Sequence, residues 1–380
     1  MGVDVSLFRL IGIKGTARLR LLLLIVGIES LLNRLLYYSE SRTLLRVRVF
    51  ILFPGLLVFL TGCQFFNPES KWQRFEYVEP EMGVDFHLKF YAPNRIKAER
   101  IAKTVYARVE HLNSIFSDYE TNSELNRLCR APVERPVRVS AELFDVLSRS
   151  QELAIQTRGA FDITSGPSVR FWRKVRKQGK MLSLDELREA QARVGFRKVK
   201  LNSGQRSVTL TTANIKLDLG GIAKGYVVDE AMRILKAGNI RRAFVAASGD
   251  MLASEPPLGK PGWKVEVRNV DKFGNIYART IYLSNLALST SGDTEQYVEI
   301  DGSRFSHIVD PRTGVGLTSR IQVTVISASS TLSDSHATAL CVLGKEQGLQ
   351  FAESKKLQVL VMEMAGVTPR VTTSRHWKGW

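Results

Sequence analysis

Residues Leu217–Asp229 read LDLGGIAKGYVVD. Ile215, Leu217 and Leu219 alternate with polar residues, so a short strand is expected to deliver Asp218 to the Gly220-Gly221 pair. The chain then enters a helix with Lys224 in its first turns and Val228, Met232 and Leu235 on its buried stripe. Glycine lets backbone approach a ligand closely. A helix start offers unpaired N–H groups and a positive dipole end to an anion. An acid, a glycine turn and a lysine in this order suit a phosphate bound beside a metal or a ribose. An ordinary strand–turn–helix junction has the same pattern, and both readings stay open here. Gly225 stands where a Walker A loop needs Ser or Thr, and the spacing is not GxGxxG, so both of those nucleotide loops are excluded.

Downstream, a strand from Ala243 to Ala247 ends at Ser248-Gly249-Asp250, a second glycine loop with a carboxylate. Trp263–Val267 and Arg279–Leu283 suit a sheet meander, and Ala287–Asp293 a strand end of small residues. Asp301-Gly302 marks a hairpin whose return strand is expected to carry Ser306-His307-Ile308-Val309-Asp310. His307 sits there with polar neighbours on both sides and, read alone, suits a satisfied core histidine. After a strand at Ile321–Ile326, Asp334 and Thr338 lie four residues apart on one face of a helix start. A carboxylate and a hydroxyl there are oxygen donors for a hard cation such as Mg²⁺. A helix-start Asp serving the dipole beside a packed Thr is the alternative.

Upstream, Met82–Leu88 alternates like a half-buried strand, and Ile101, Val105, Val109, Leu112 and Phe116 share one helical stripe. Tyr119, just after that helix, suits either stacking on a planar ligand or packing. A second helix with Leu143, Val146, Leu147, Leu153 and Ala154 stops at Arg158-Gly159. Gly159-Ala160-Phe161-Asp162 follows, nearly bare backbone suited to a flat ligand, and Gly166-Pro167 is expected to close that turn. Ser183 and Glu186 form a capping box for a helix to Val194, and Asn202-Ser203-Gly204 joins two short strands.

The chain has 380 residues and a formal charge of +17. Residues 1–62 carry eight Lys/Arg and three Asp/Glu, so twelve of the seventeen positive charges fall on the remainder. That excess suits phosphate-bearing ligands or an anionic membrane surface. No zinc-finger spacing, RNP pattern or basic helix supports nucleic-acid binding. Arg46 and Arg48 precede an uncharged run, Val49–Leu60, which is too short for a transmembrane helix and fits a secretory signal. Leu60-Thr61-Gly62-Cys63 resembles a bacterial lipobox, in which the cysteine is acylated. The expected organisation is a leader over 1–62, a polar tether over 63–74 and one catalytic unit over 75–380. A second apolar run at Leu21–Ile28 leaves the translation start open, and the spacing of Cys129 and Cys341 leaves their pairing open.

In order along the chain, these motifs resemble the ApbE family of FAD:protein FMN transferases: Met82-Gly83, Ser117-Asp118-Tyr119 with Ser123-Glu124-Leu125, Gly159–Asp162, Asp218–Gly225, Ser289–Gly292, Ser306–Gly314, and Asp334 with Thr338. The resemblance spans roughly Met82 to Leu343. It implies a compact, two-lobed α+β unit with mixed or antiparallel sheets flanked by helices and FAD in the cleft. It implies FAD contacts at Met82, Tyr119, Ala160, Phe161, Asp162, Asp218, Lys224 and Ile308. It further implies Mg²⁺ on the Gly221 carbonyl, Asp334 and Thr338, with His307 important for activity, where it suits a general base with Asp310 to orient it. The implied reaction moves FMN from FAD to a Ser or Thr hydroxyl of an acceptor protein carrying a D-x-x-[ST]-G-[AS]-[ST]-type motif, and releases AMP. An FAD pyrophosphatase and a non-catalytic flavin carrier are the alternatives. Many members are lipoproteins, in keeping with lipidation at Cys63 and a periplasmic site, with the inner membrane favoured. Two residues depart from the usual pattern: Ser248 stands where a glycine is usual, and His336 where an apolar residue is usual.

Overall fold

The computed structural model describes residues 72–380 apart from 271, 272, 274, 293–296, 367 and 380. The leader and Cys63 therefore lie outside the described residues.

The chain opens on a hairpin, β1 (Gln73–Glu81) and β2 (Val84–Ala92). The expected strand through Met82-Gly83 is instead a two-residue turn, with φ of 51° and 76° at those positions, as hairpins that match strand twist require. Six more strands complete an eight-stranded sheet: β6 (Ala243–Ala247), β7 (Asp250–Ala253), β10 (Leu286–Gly292), β13 (Ile321–Ser327), β14 (Gln358–Ala365) and β15 (Thr368–Thr373). Its order is β1-β2-β6-β7-β10-β13-β14-β15. Every described neighbour pair in it is antiparallel. Smaller sheets pair β3 (Val137–Arg138) and β4 (Val199–Asn202) with β5 (Ser207–Leu210), β8 (Trp263–Val270) with β9 (Ile276–Leu283), and β11 (Tyr297–Ile300) with β12 (Ser303–Ser306). Of the mixed or antiparallel sheets expected, the described ones are antiparallel.

Among the described residues, seven α-helices pack on this frame: α1 (Arg95–Phe116), α2 (Glu124–Cys129), α3 (Ala141–Gln156), α4 (Gly166–Gln178), α5 (Leu184–Ala192), α6 (Ala223–Ala237) and α7 (Ser330–Ser354). The main core joins Phe86, Leu88 and Phe90 of β2 to Val105, Val109 and Leu112 of α1 and to Val227, Val228 and Leu235 of α6. A second core joins Val323 and Val325 of β13 to Ala337 and Leu340 of α7, and it includes Ala160 and Ile308. On the other sheet face, the β8–β9 hairpin covers Leu288, Ile326 and Leu360. Covered on both sides, β13 is buried almost throughout, its polar Gln322 and Thr324 included. Cys129 and Cys341 form no disulfide: Cys129 Sγ accepts from Leu217 N–H at 3.3 Å, and Cys341 Sγ donates to the Ser291 carbonyl at 3.4 Å.

Two local expectations change. Ile215–Leu219 has no regular secondary structure and joins no sheet. Its three apolar side chains sink into the main core, so alternation here records burial rather than strand pairing. Gly166-Pro167 opens α4 instead of closing a turn, since proline's fixed φ and missing N–H cost nothing in a first helical turn.

Candidate active site

The centre is the junction of α6 and α7. A β-carbon at Gly225 would lie 2.3 Å from the Ser330 carbonyl oxygen and 2.8 Å from Asp334 Cβ. Only glycine allows the two helix starts to meet this closely. The contact is sealed by Gly225 N–H donating to Asp334 Oδ2 at 2.9 Å. Asp229, at the end of the opening stretch, accepts from Ser329 Oγ (2.7 Å), Ser330 N (2.8 Å), Thr331 N (2.9 Å) and Thr331 Oγ1 (2.6 Å). It thereby satisfies the orphan donors at the start of α7 and fixes that helix to α6.

On α7, Asp334 and Thr338 face the glycine turn as their spacing predicts. A β-carbon on Gly221 would lie 3.0 Å from Thr338 Cγ2 and 3.1 Å from Thr338 Oγ1. Ser291 Oγ of β10 is 3.1 Å from Thr338 Oγ1, and Ser289 Oγ is 2.8 Å from Ser333 Oγ. Hydroxyls therefore line the strand–helix contact. Burial pushes the Asp334 carboxyl up to about 7, with Asp250 adding to the shift and Lys224 opposing it. Lys224 Nζ pairs with Asp250 Oδ2 at 2.6 Å. Burial works against that ammonium, and Asp250 and Asp334 outweigh it, holding Lys224 above the usual lysine range. Lys224 is thus paired with Asp250 rather than projecting alone from a helix end.

Asp218, Tyr119 and the segment Ala160–Asp162 form a second group. Asp218 N–H donates to the Ile163 carbonyl at 2.8 Å, joining the glycine turn to the Gly159–Asp162 segment. Asp218 Oδ1 accepts from Gly220 N–H at 2.8 Å, and Oδ2 pairs with Arg173 Nη2 at 3.0 Å. The other arm of Arg173 pairs with Asp118, and its guanidinium carbon lies 4.4 Å from the centre of the Tyr119 ring. Tyr119 is 76% exposed, which suits a stacking platform better than core packing. Phe161 and Asp162 are buried. Asp162 Oδ1 accepts from Thr164 N (2.8 Å) and Oγ1 (2.6 Å), and burial raises its carboxyl above the usual range. What Ala160–Asp162 offers a ligand is therefore mainly backbone.

His307 lies one residue beyond the end of β12, half-buried in a bend rather than within a strand. Both Asp310 oxygens accept from Arg312, Oδ1 from Nε at 2.9 Å and Oδ2 from Nη2 at 2.8 Å. Arg312 thus orients the carboxylate three residues after His307. Ile308 and Ala160 share the α7 core, so His307 is attached through its neighbour to the helix bearing Asp334. Met82 sits on the β1–β2 turn and packs on the main core. His336 turns away from the Asp334–Thr338 pair: its Nδ1 meets the Leu332 carbonyl at 2.9 Å and its ring leans on Phe351. Burial lowers it to about 4, so it is a neutral, half-buried packing group.

The donors at the junction suit a hard cation. They are a carboxylate, a hydroxyl and the backbone beside Gly221, all oxygen. The Asp334 charge is also held unfavourably by its surroundings, and a cation would relieve that. Among the described residues there is no cluster of three or more His, Cys, Asp or Glu suited to a metal, so any ion here depends on hydroxyl and carbonyl oxygens.

Fold and site together define a flavin-transferase architecture, and comparison with known proteins agrees. The ApbE family model matches residues 82–361. A Haemophilus influenzae FAD:protein FMN transferase is 31% identical over 74% of this chain and 84% of its own length. One from Klebsiella pneumoniae is 28% identical over 82% and 91%. The flavin transferase ApbE of Vibrio cholerae has a TM-score of 0.74 at 26% identity, covering 81% of this chain and 99% of its own. An ApbE protein from Thermotoga maritima has a TM-score of 0.70 at 27% identity, over 80% and 97%. The chain belongs to the ApbE family.

Sequence reading missed Arg173 altogether and gave Asp229 no role. Arg173 was reachable, because Phe171, Trp172 and Val175 carry helical spacing that places Arg170 and Arg173 on one face. Asp229 has no local signal, since its partners lie a hundred residues away.

Proposed function

We propose that the protein is an Mg²⁺-dependent FAD:protein FMN transferase, tethered by a lipid at Cys63 to the periplasmic side of the inner membrane. The observation that carries the chemistry is the meeting of Gly221, Asp334 and Thr338 where α6 and α7 touch. Asp334, Thr338 and the Gly221 carbonyl would hold the ion. When bound, Mg²⁺ would neutralise charge developing on the pyrophosphate. Tyr119, Met82, Asp218, Ile308 and the Ala160–Asp162 backbone would hold the flavin end of FAD. Lys224, held by Asp250, would contact FAD from the start of α6, where the helix N-terminus favours an anion.

The acceptor hydroxyl oxygen bonds to the FMN phosphorus, the phosphorus–oxygen bond to AMP breaks, and AMP departs with the bridging oxygen. His307 takes the hydroxyl proton, a role worth about 10²–10⁴-fold in rate. The tether reading rests on the Leu60-Thr61-Gly62-Cys63 resemblance. The test is incubation of the soluble part with FAD, Mg²⁺ and a protein bearing the D-x-x-[ST]-G-[AS]-[ST] pattern. Covalent flavin on the acceptor together with AMP supports transfer. Free FMN and AMP without labelling means a pyrophosphatase, and intact bound FAD means a carrier.

A further inference from the structure

We propose that Arg173 presets the flavin platform, by backing the Tyr119 ring and clamping the Asp118 loop to Asp218. This rests on the FAD-binding reading above. Three independent contacts converge on the one side chain. Its two arms reach carboxylates from separate segments, Asp118 after α1 and Asp218 at the glycine turn. Its guanidinium carbon lies over the Tyr119 ring, 4.4 Å from the ring centre. Arginine suits this position because its planar fork serves two acceptors while its face stacks on an aromatic ring. Lysine offers a point charge and no face.

The surroundings separate this contact from a casual surface pair. Arg173 is 27% exposed, and Asp118 and Asp218 are each 10% exposed. Burial and the neighbouring Asp118 both push the Asp218 carboxyl upward, and Arg173 is the leading influence pulling it down. Arg170, one turn back on α4, donates to the Asp118 carbonyl at 3.1 Å. Asn126 donates from Nδ2 to the carbonyls of Ser117, Asp118 and Glu120 at 3.3, 3.1 and 2.8 Å. The backbone of the Tyr119 loop is therefore fixed without Arg173. What Arg173 adds is the orientation of the ring and the tie to Asp218. With one face of Tyr119 covered by the guanidinium, the other is left for a planar ligand. The order is then ligand, tyrosine, arginine, with the cation drawing on the π-system from behind.

Arg173 is a positioning residue, so its test must separate binding from chemistry. FAD is titrated into the soluble protein, wild type and Arg173→Ala, following quenching of flavin fluorescence and the visible absorption band. AMP release at varied FAD gives KM and kcat. Arg173→Ala is expected to raise the FAD KM and Kd roughly tenfold or more and to lose the stacking-induced quenching. Its kcat at saturating FAD should stay within a few-fold of wild type. Arg173→Lys should fall between the two, and Asp118→Asn, which cuts one arm only, should also weaken FAD. These milder variants decide the matter if Arg173→Ala does not fold. Equal FAD affinity and equal quenching in wild type and variants overturn the proposal alone. So does a loss of kcat at unchanged KM, which would put Arg173 in the chemistry. A wild-type protein that does not bind FAD overturns the parent reading and this one with it.

Discussion

Asp334 carries more of the account than any other residue. It was legible because a carboxylate and a hydroxyl four apart must share a helix face. Its environment was not legible, since Lys224, Asp250 and the Gly225 amide arrive from distant sequence. Asp334→Asn should lower turnover by about 10²-fold or more and weaken Mg²⁺ binding, measured by AMP release and metal titration. The raised Asp334 carboxyl also sets a pH dependence. Its pKa is higher folded than unfolded, so its stabilising contribution is complete below 3.8 and disappears as pH rises through about 7. Without metal, the ionised group is a growing burden above that window. Bound Mg²⁺ relieves it, so the rise in melting temperature on adding Mg²⁺ should be larger at pH 8 than at pH 5.5. An equal rise at both would remove Asp334 from the ion's ligands. His307→Ala should cut kcat by about 10²–10⁴-fold and leave the FAD KM near wild type.

Among the elements, α1, α3, α5, α6 and most strands were readable because each buries one stripe or one face at its own period. Two segments were misread. Ile215–Leu219 alternates like a strand yet finds no neighbour to pair with, because alternate burial and strand pairing share one pattern. The helix α4 hid behind Gly166-Pro167, a pair that reads as a stop although its proline fits a first turn. Missing α4 meant missing Arg173. The α6–α7 junction makes its own prediction. Asp229→Ala removes four hydrogen bonds from the start of α7. It should cost about 1–3 kcal/mol of stability in urea unfolding and weaken Mg²⁺ binding without touching the ion. Unchanged metal affinity in a destabilised variant would limit Asp229 to a structural role.

For the whole molecule, the α+β class with mixed or antiparallel sheets came with the family resemblance, and the hairpin turns alone specify only local antiparallel pairs. Strand order was not legible, because nothing local tells β2 to pair with β6 across more than 150 residues, or β10 with both β7 and β13. The same limit hid which motifs meet. The glycine turn, the Gly159–Asp162 segment and α7 are joined by contacts such as Asp218 N–H to Ile163 and Gly225 N–H to Asp334. At the cell scale, Cys63→Ser should move the protein from the membrane fraction to the soluble fraction and abolish labelling by a palmitate analogue. Retention in the membrane with no label would contradict the tether.

The most direct measurement is in-gel flavin fluorescence of an acceptor protein after incubation with FAD, Mg²⁺ and the purified soluble enzyme, with AMP quantified in the same tube. The account predicts a fluorescent acceptor band and one AMP per flavin attached. Both should disappear when Mg²⁺ is chelated or the acceptor hydroxyl is removed. AMP and free FMN formed at full rate, with no labelled acceptor, would contradict it.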